Sequence, residues 1–327
     1  MYQPLALLTG VVLAVMVALN GNLAARHGIF PAAALIHMVG ALFALVLCAV
    51  QKEKRPLWRH RPLWIYLGGA IGVLTTVFTN LAYGKISMTG IVALGLLGQI
   101  VTAVLVDSLG LFGMEKRPLH KASLWGLAFS LAGVCVMMDS SVTEAALAVL
   151  LSFAAGVSVV LSRTVNARLA EKIGSLRGSL VNHLVGLPIT LLLAFAALGG
   201  SGLPAVQAGA FRPWIYCGGM LGVASVVLSN VTVPRISAFR LTVLTFVGQI
   251  FTGILLDLLT GSGYSDSSFA GGLIIALGVA VNMATEKIGM EGRRKRQASL
   301  ARTRRIEEER RQYLLKKYGG GAPGKEA

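Results

Sequence analysis

Paired polar side chains recur inside apolar runs of this 327-residue sequence. Gln99 and Gln249 each follow a glycine near the middle of such a run, and His37 and His183 each lie about eight residues into another. A primary amide offers two hydrogen-bond donors and an acceptor, which suits a small polar solute. An imidazole titrates near neutral pH, which suits a proton carrier. For both pairs the alternative is structural, a hydrogen bond between neighbouring helices.

Asp107 and Asp257 are the only acids within these apolar runs, and both lie close to the end of one. They can couple transport to protons, or they can cap a helix or loop in contact with water. The remaining candidates for lining a solute pathway carry amide or hydroxyl groups: Asn80, Asn230, Thr102 and Thr252. Four asparagines end their apolar runs, so capping of free backbone groups is their alternative role: Asn20, Asn166, Asn80 and Asn230.

The elements that must position these residues are membrane-spanning helices. The chain is 55% hydrophobic and only 13% charged, with a mean hydropathy of +0.71. A helix of roughly 20 apolar residues crosses a hydrocarbon core of about 30 Å. Ten windows fit this length: 3–22, 29–50, 63–82, 88–109, 122–138, 145–162, 178–198, 213–233, 237–259 and 268–285. The composition therefore predicts an all-α membrane protein with ten transmembrane helices.

The basic residues are distributed unevenly about these spans. If the N-terminus and the loops after even-numbered helices lie on one side, that side and the C-terminal tail hold 27 of the 30 lysine and arginine residues. The positive-inside rule then places both termini in the cytoplasm. Orientation accounts for the net charge of +16, so we expect no nucleic-acid partner. The basic tail either lies on anionic lipid or is solvated.

The sequence is internally repeated. Residues 64–109 and 214–259 align without a gap, with 19 of 46 positions identical, and further matches continue on both sides. The organisation predicted is a first five-helix repeat over 1–143, a second over 144–285 and a tail over 286–327. Because each repeat crosses five times, the second enters the membrane from the opposite face. Such a 5+5 inverted-topology repeat is the architecture of many secondary transporters.

The order of these residues resembles a known family. Asn20, Gly28 and Gly40 are followed by Trp64-x3-Gly68-Gly69-x2-Gly72, then Gly98-Gln99, then Asp107-x2-Gly110 before a basic loop. This pattern, duplicated over residues 1–285, resembles the YdcZ-like branch of the drug/metabolite transporter superfamily. The resemblance implies a ten-helix exporter of the bacterial inner (plasma) membrane. Small multidrug relatives use a glutamate in their first helix, whereas residues 1–52 contain no acid.

These patterns together predict a secondary transporter, an exporter of small metabolites or drug-like solutes. Its cavity is expected between the third, fourth, eighth and ninth helices, with Gln99 and Gln249 inside. The sequence has no phosphate-binding loop, dinucleotide fingerprint, zinc-ligand spacing or nucleophile elbow, so we expect no enzyme activity, catalytic residue, cofactor or metal. The partners expected are an unidentified small solute and lipid, with the protein a monomer or homodimer. The alternative is a non-transporting scaffold or regulatory subunit that works through its basic tail.

Overall fold

A computed structural model describes residues 2–51, 56–57, 62–117, 121–143, 145–199, 212–261, 265–285, 305–309 and 313. Most residues in these ranges are helical, and no strand is found among them. The described part of residues 2–285 contains ten α-helices: α1 Tyr2–His27, α2 Ile29–Val50, α3 Gly68–Ala82, α4 Met88–Leu109, α5 Lys121–Met137, α6 Ala146–Ile173, α7 Ser175–Ala197, α8 Gly218–Thr232, α9 Ala238–Thr260 and α10 Asp266–Thr285. The protein is therefore an all-α membrane protein.

Eight of the described segments are long and apolar enough to cross a membrane. They are α1, α2, α4, α6, α7, α9, α10 and the segment Pro213–Thr232, which combines a 3-10 turn with α8. The other two apolar helices are shorter: α3, and the stretch Leu124–Met137 of α5. A 3-10 turn, Leu63–Tyr66, also precedes α3, so α3 and α8 begin in the same way.

Two helix pairs are joined by a single glycine. Gly28 separates α1 from α2 with φ 82° and ψ 161°, and Gly174 separates α6 from α7 with φ 97° and ψ 150°. This backbone region is open almost only to glycine, because a Cβ atom would collide with the chain. The two glycines occupy equivalent positions in the sequence repeat, and each reverses the chain at the same point.

Helices pack closely where glycine removes the side chain. A Cβ atom on Gly98 of α4 would collide with the carbonyl oxygen of Phe153 in α6, and one on Gly248 of α9 would collide with that of Leu7 in α1. Gly98 is equivalent to Gly248 in the sequence repeat and Phe153 is equivalent to Leu7, so the same contact is made twice. Helices α4 and α6 pack together as α9 and α1 do, and α2 packs against α7.

Residues Met1–Val279 form one compact unit, and its interior and its surface are both apolar. A buried cluster joins α4, α5, α6, α9 and α10 through side chains such as Ile100, Val160 and Ile275. Leucines on the outer faces are widely exposed, with Leu192 at 67% and Leu150 at 64%. A surface of exposed leucines suits contact with lipid rather than water.

Residues Ala280–Ala327 form the second unit. Within its described part, α10 runs on to Thr285, and residues 305–309 form a helical turn with an Arg305–Glu309 ion pair at 3.0 Å. The rest of the predicted tail, 286–304, 310–312 and 314–327, lies outside the described residues.

Two helices are longer than the sequence windows predict. Helix α1 continues to His27 and α6 continues to Ile173, whereas the windows end at 22 and 162. The prediction that Asn20 and Asn166 end their helices is therefore wrong, because each lies seven residues before its helix ends. The window 145–162 also leaves Arg163 just outside the span, whereas the structure places this residue inside α6.

Candidate functional site

A cavity of about 320 Å³ lies between α1, α2, α3, α6, α7 and α8. Polar groups from every one of these helices reach its wall, among them Asn20, His37, Thr76, Arg163, Asn182 and Ser225. Of the four helices expected to line a cavity, α3 and α8 contribute to this one, whereas α4 and α9 do not. A pocket of this size and mixed polarity can hold a small molecule.

The two predicted histidines meet in this cavity. The ring centroids of His37 on α2 and His183 on α7 are 5.5 Å apart, with the ring planes inclined at 58°. His183 is 3% exposed, and its Nδ1 lies 2.8 Å from the carbonyl oxygen of Ser179, one turn earlier in α7. His37 Nδ1 is buried and has no hydrogen-bond partner in the described part of the chain.

Each histidine ring packs against a glycine of the facing helix. The His183 ring occupies the space in which Gly40 of α2 would carry a side chain, and the His37 ring does the same at Gly186 of α7. Gly40 and Gly186 are equivalent residues of the sequence repeat, as are the two histidines. The histidine–glycine contact is therefore made twice, once with the histidine on α7 and once with the histidine on α2.

On one side of the cavity, α3, α6 and α7 are joined by hydrogen bonds. Asn166 Nδ2 donates to Asn182 Oδ1 at 2.7 Å and to Ser162 Oγ at 3.4 Å, while Ser162 Oγ donates to the Gly68 carbonyl oxygen at 2.7 Å. Met16 and Ile36 stand at the positions equivalent to Ser162 and Asn182, so this network cannot form twice.

On the opposite side, Asn20 packs against Gly218, as Asn166 packs against Gly68. Its Oδ1 is buried and without a hydrogen-bond partner among the described residues. The two sides of the cavity therefore share a packing pattern but differ in their hydrogen bonding.

Arg163 lies in the cavity wall, partly buried, inside α6. Its Nη2 donates to Gln99 Oε1 on α4 at 3.4 Å. No other formally charged side chain is found among the described residues that line the cavity. Sequence reasoning missed this site because the predicted span 145–162 ends one residue before Arg163. Asn166 is the signal that could have identified this site. It is equivalent in the repeat to Asn20, which lies inside a predicted span, and it lies about one turn beyond Arg163 in the same helix.

The two predicted glutamines lie outside this cavity wall. Gln99 and Gln249 are partly buried on α4 and α9, next to the glycines that contact α6 and α1. Gln99 reaches the cavity only through Arg163, whereas the residue equivalent to Arg163 is Val17, which is 52% exposed. The two amides therefore have different surroundings despite their equivalent positions.

Of the other four predicted pathway residues, one lines the cavity and three do not. Asn230 of α8 lines the cavity, and its Nδ2 donates to the Ser175 carbonyl oxygen at 3.0 Å. Asn80 of α3 has a buried Nδ2 without a hydrogen-bond partner in the described ranges. Thr102 donates to the Gly98 carbonyl oxygen of its own helix at 2.8 Å, and Thr252 is partly buried on α9.

Asp107 is 5% exposed and binds the start of another helix. Its Oδ1 and Oδ2 accept hydrogen bonds from the backbone N–H groups of Ala238 and Phe239, at 2.7 and 2.9 Å. This carboxylate thus caps α9 from α4, and an anion at a helix N-terminus is favourable. Asp257 is partly buried near the end of α9.

A bundle of apolar helices around a polar cavity defines a multi-pass membrane protein. The chain belongs to the family described as "Putative inner membrane exporter, YdcZ", whose model matches residues 1–136 and 147–285. This family is the YdcZ-like branch of the drug/metabolite transporter superfamily, and its members are inner-membrane proteins. Residues 1–285, the part that resembles this branch by sequence, thus contain both matched segments.

A solved structure described as "Crystal structure of protein" has a TM-score of 0.67 to this chain. The two are 17% identical, and the alignment covers 87% of this chain and 96% of that one. At this identity the likeness shows a shared fold and nothing about the solute. A comparison with curated proteins finds no match.

Proposed function

We propose that this protein is a secondary transporter that exports a small solute from the cytoplasm by alternating access. The observation that carries the proposal is the cavity of about 320 Å³ between six apolar helices, each of which contributes polar groups to its wall. Polar groups at membrane depth cost free energy, so they mark a solute or ion pathway by default. Membership of an exporter family supports the same activity.

The reciprocal contacts support an inverted repeat of two five-helix halves. His37 meets Gly186 as His183 meets Gly40, and Gly98 meets α6 as Gly248 meets α1. Contacts of this form are expected when two equivalent units are related by a two-fold axis. If α3 and α5 also cross the membrane, each half crosses five times and the axis lies in the membrane plane.

The unequal hydrogen bonding around the cavity supports two access states. The Asn166 network ties α6 to α3 and α7, whereas Asn20 leaves an unpaired acceptor at the equivalent place between α1 and α8. With both termini in the cytoplasm, Asn166 lies toward the cytoplasmic end of α6. This state would then be closed on the cytoplasmic side, and the opposite state would require the Asn166 hydrogen bonds to break.

A flux assay with a variant that fills the cavity tests the proposal. Thr76→Trp places a large ring in the cavity, and Leu192→Trp places the same ring on a surface that is 67% exposed at that residue. In proteoliposomes challenged with a broad panel of labelled metabolites, we expect the wild type and Leu192→Trp to transport a common solute and Thr76→Trp to fail. Both variants are compared by size-exclusion elution and thermal unfolding.

Absence of flux for every solute in the wild type, with no solute raising the melting temperature, would overturn the proposal. Deletion of residues 287–327 separates it from the scaffold alternative. A transporter should keep its flux without the tail, whereas a scaffold that works through the tail should lose its activity.

A further inference from the structure

Arg163 is a cation held close to the middle of a membrane-spanning helix. It is the eighteenth residue of α6, which has 28 residues, and so lies about 5 Å from the helix midpoint at 1.5 Å per residue. Ten residues of α6 follow it, and that stretch carries the partly exposed ion pair of Arg168 and Glu171, whereas the Arg163 side chain contacts Gln99 of α4 and lines the cavity. Its guanidinium therefore has to find its partners inside the bundle.

Within the described part of the chain, the hydrogen-bond partner of Arg163 is a neutral side chain. The acceptor that Arg163 contacts is Gln99 Oε1, at 3.4 Å, which is long for a hydrogen bond from an arginine. No described carboxylate lies within ion-pair distance of it. A guanidinium has five N–H donors, so most of its hydrogen-bonding capacity remains available on the side that faces the cavity.

The cavity wall around this cation suits a polar solute but supplies no negative charge. Ser162, Asn166, Ser225 and Ser229 offer neutral donors and acceptors, and the described lining includes no acid. A buried charge without a counter-ion costs free energy, and a ligand of opposite charge removes that cost. The missing partner of Arg163 is thus an anion that enters the cavity.

The sequence repeat does not duplicate this cation. Val17 stands in α1 where Arg163 stands in α6, so only one half presents a cation to the cavity. A planar guanidinium pairs with a carboxylate through two parallel hydrogen bonds. One arginine balances one negative charge, and a volume of about 320 Å³ is at the small end of ligand pockets.

We infer that Arg163 is the substrate-recognition residue and that the solute is a small organic monoanion with a carboxylate group. The inference rests on the proposed transport function and adds the charge class of its substrate. Gln99 then acts as a positioning residue, because it holds the guanidinium from the side opposite the cavity.

Paired acids and amides test the charge class directly. Thermal unfolding of the purified full-length protein is measured with gluconate, lactate and benzoate, and with gluconamide, lactamide and benzamide as neutral controls of matched shape. We expect at least one acid to raise the melting temperature in a concentration-dependent way while its amide does not. An amide that stabilises as well as its acid, or an acid panel without effect, overturns the inference.

Variants at the cation assign the effect to Arg163. Arg163→Gln should abolish the shift caused by the acid, and Arg163→Lys, which keeps the charge but loses the planar fork, should retain a weaker shift with at least tenfold lower affinity. Val17→Gln, at the equivalent place in α1, should bind as the wild type does. An undiminished shift in Arg163→Gln overturns the inference, and a folded Arg163→Lys keeps the test valid if Arg163→Gln does not fold.

Flux separates failure of this inference from failure of the proposed function. In proteoliposomes, transport of labelled sorbitol or glucosamine at a rate unchanged by Arg163→Gln would overturn the anion class while supporting a transporter. Transport of labelled gluconate that Arg163→Gln abolishes supports both. Absence of any flux in the wild type overturns the transport function itself.

Discussion

Two histidines, His37 and His183, explain why positions 186 and 40 are occupied by glycine. The imidazoles of His37 and His183 fill the space beside Gly186 and Gly40, so the missing glycine side chains leave room for one ring at each of these points between α2 and α7. Any added methyl group must displace a buried ring. The two rings and the two glycines thus form one packing unit at the contact of α2 with α7.

Adding a methyl group at either glycine should destabilise the protein. We expect Gly40→Ala and Gly186→Ala each to cost about 1–3 kcal/mol, the usual effect of overpacking. Gly253→Ala is the matched control, because a Cβ atom there meets nothing within 4 Å. Unfolding in detergent, followed by circular dichroism, measures the difference.

The double variant His37→Ala/Gly186→Ala identifies the cause. It should be more stable than the sum of the single changes predicts, because the missing ring leaves room for the added methyl group. Strictly additive losses would contradict the packing explanation.

Asp107 leads to a second prediction at this scale. Asp107→Ala leaves the N–H groups of Ala238 and Phe239 without their acceptors, which should cost about 1–2 kcal/mol. Asp257→Ala, on the partly buried end of α9, should cost less. If Asp107 serves proton coupling, Asp107→Asn will in addition alter the pH dependence of flux, because it removes the titratable group as well as one of the two acceptors.

The sequence identifies some of these residues and misses others for a physical reason. Equivalence between His37 and His183 follows from the repeat, but their contact does not, because an offset relates positions without placing them side by side. Hydropathy does not identify Arg163 and Asn166 as cavity residues, because an apolar window ends where polar residues begin. Inside a cavity such residues are tolerated without lipid contact.

The hydrogen bonds of Asn166 and Ser162, which join α6 to α7 and α3, should hold one side of the cavity closed. Asn166→Ala removes the bonds to Asn182 and Ser162 and should loosen α6 from α7. Asn20→Ala removes a side chain whose Oδ1 has no partner in the described ranges, so it should leave that contact unchanged.

Thiol labelling of the cavity measures this change. The reporter is Thr76→Cys in a background where Cys48, Cys135 and Cys217 are replaced by Ala. We expect an impermeant thiol reagent added from the cytoplasmic side to react several-fold faster in Asn166→Ala than in Asn20→Ala. Equal rates in both variants would show that the network does not control access.

The helix lengths show where hydropathy alone is a poor guide. The window 63–82 predicts one span, but the structure divides it into a 3-10 turn and the short helix α3, which begins with Gly68 and Gly69. Glycine has little helix propensity, so close packing against Asn166 and Asn182 determines the local structure. The windows end α1 and α6 too early, because both helices continue through charged residues such as Arg26 and Arg168.

For the whole molecule, an even number of crossings would place both termini on one side of the membrane, and the distribution of basic residues predicts that this side is the cytoplasm. Reporter fusions at residue 1 and residue 327, one active only in the cytoplasm and one only outside, should agree on a cytoplasmic location for both ends. Opposite results at the two ends would contradict the ten crossings and the inverted repeat together.

The reciprocal glycine contacts have a consequence for how the molecule is assembled. Leu7 meets Gly248 and Phe153 meets Gly98, so much of the close packing is between the proposed halves rather than within either one. Neither half would complete its core in isolation, yet the peptide joining them contributes none of these contacts. Two fragments, 1–143 and 144–327, produced together in one cell should find each other in the membrane and restore export.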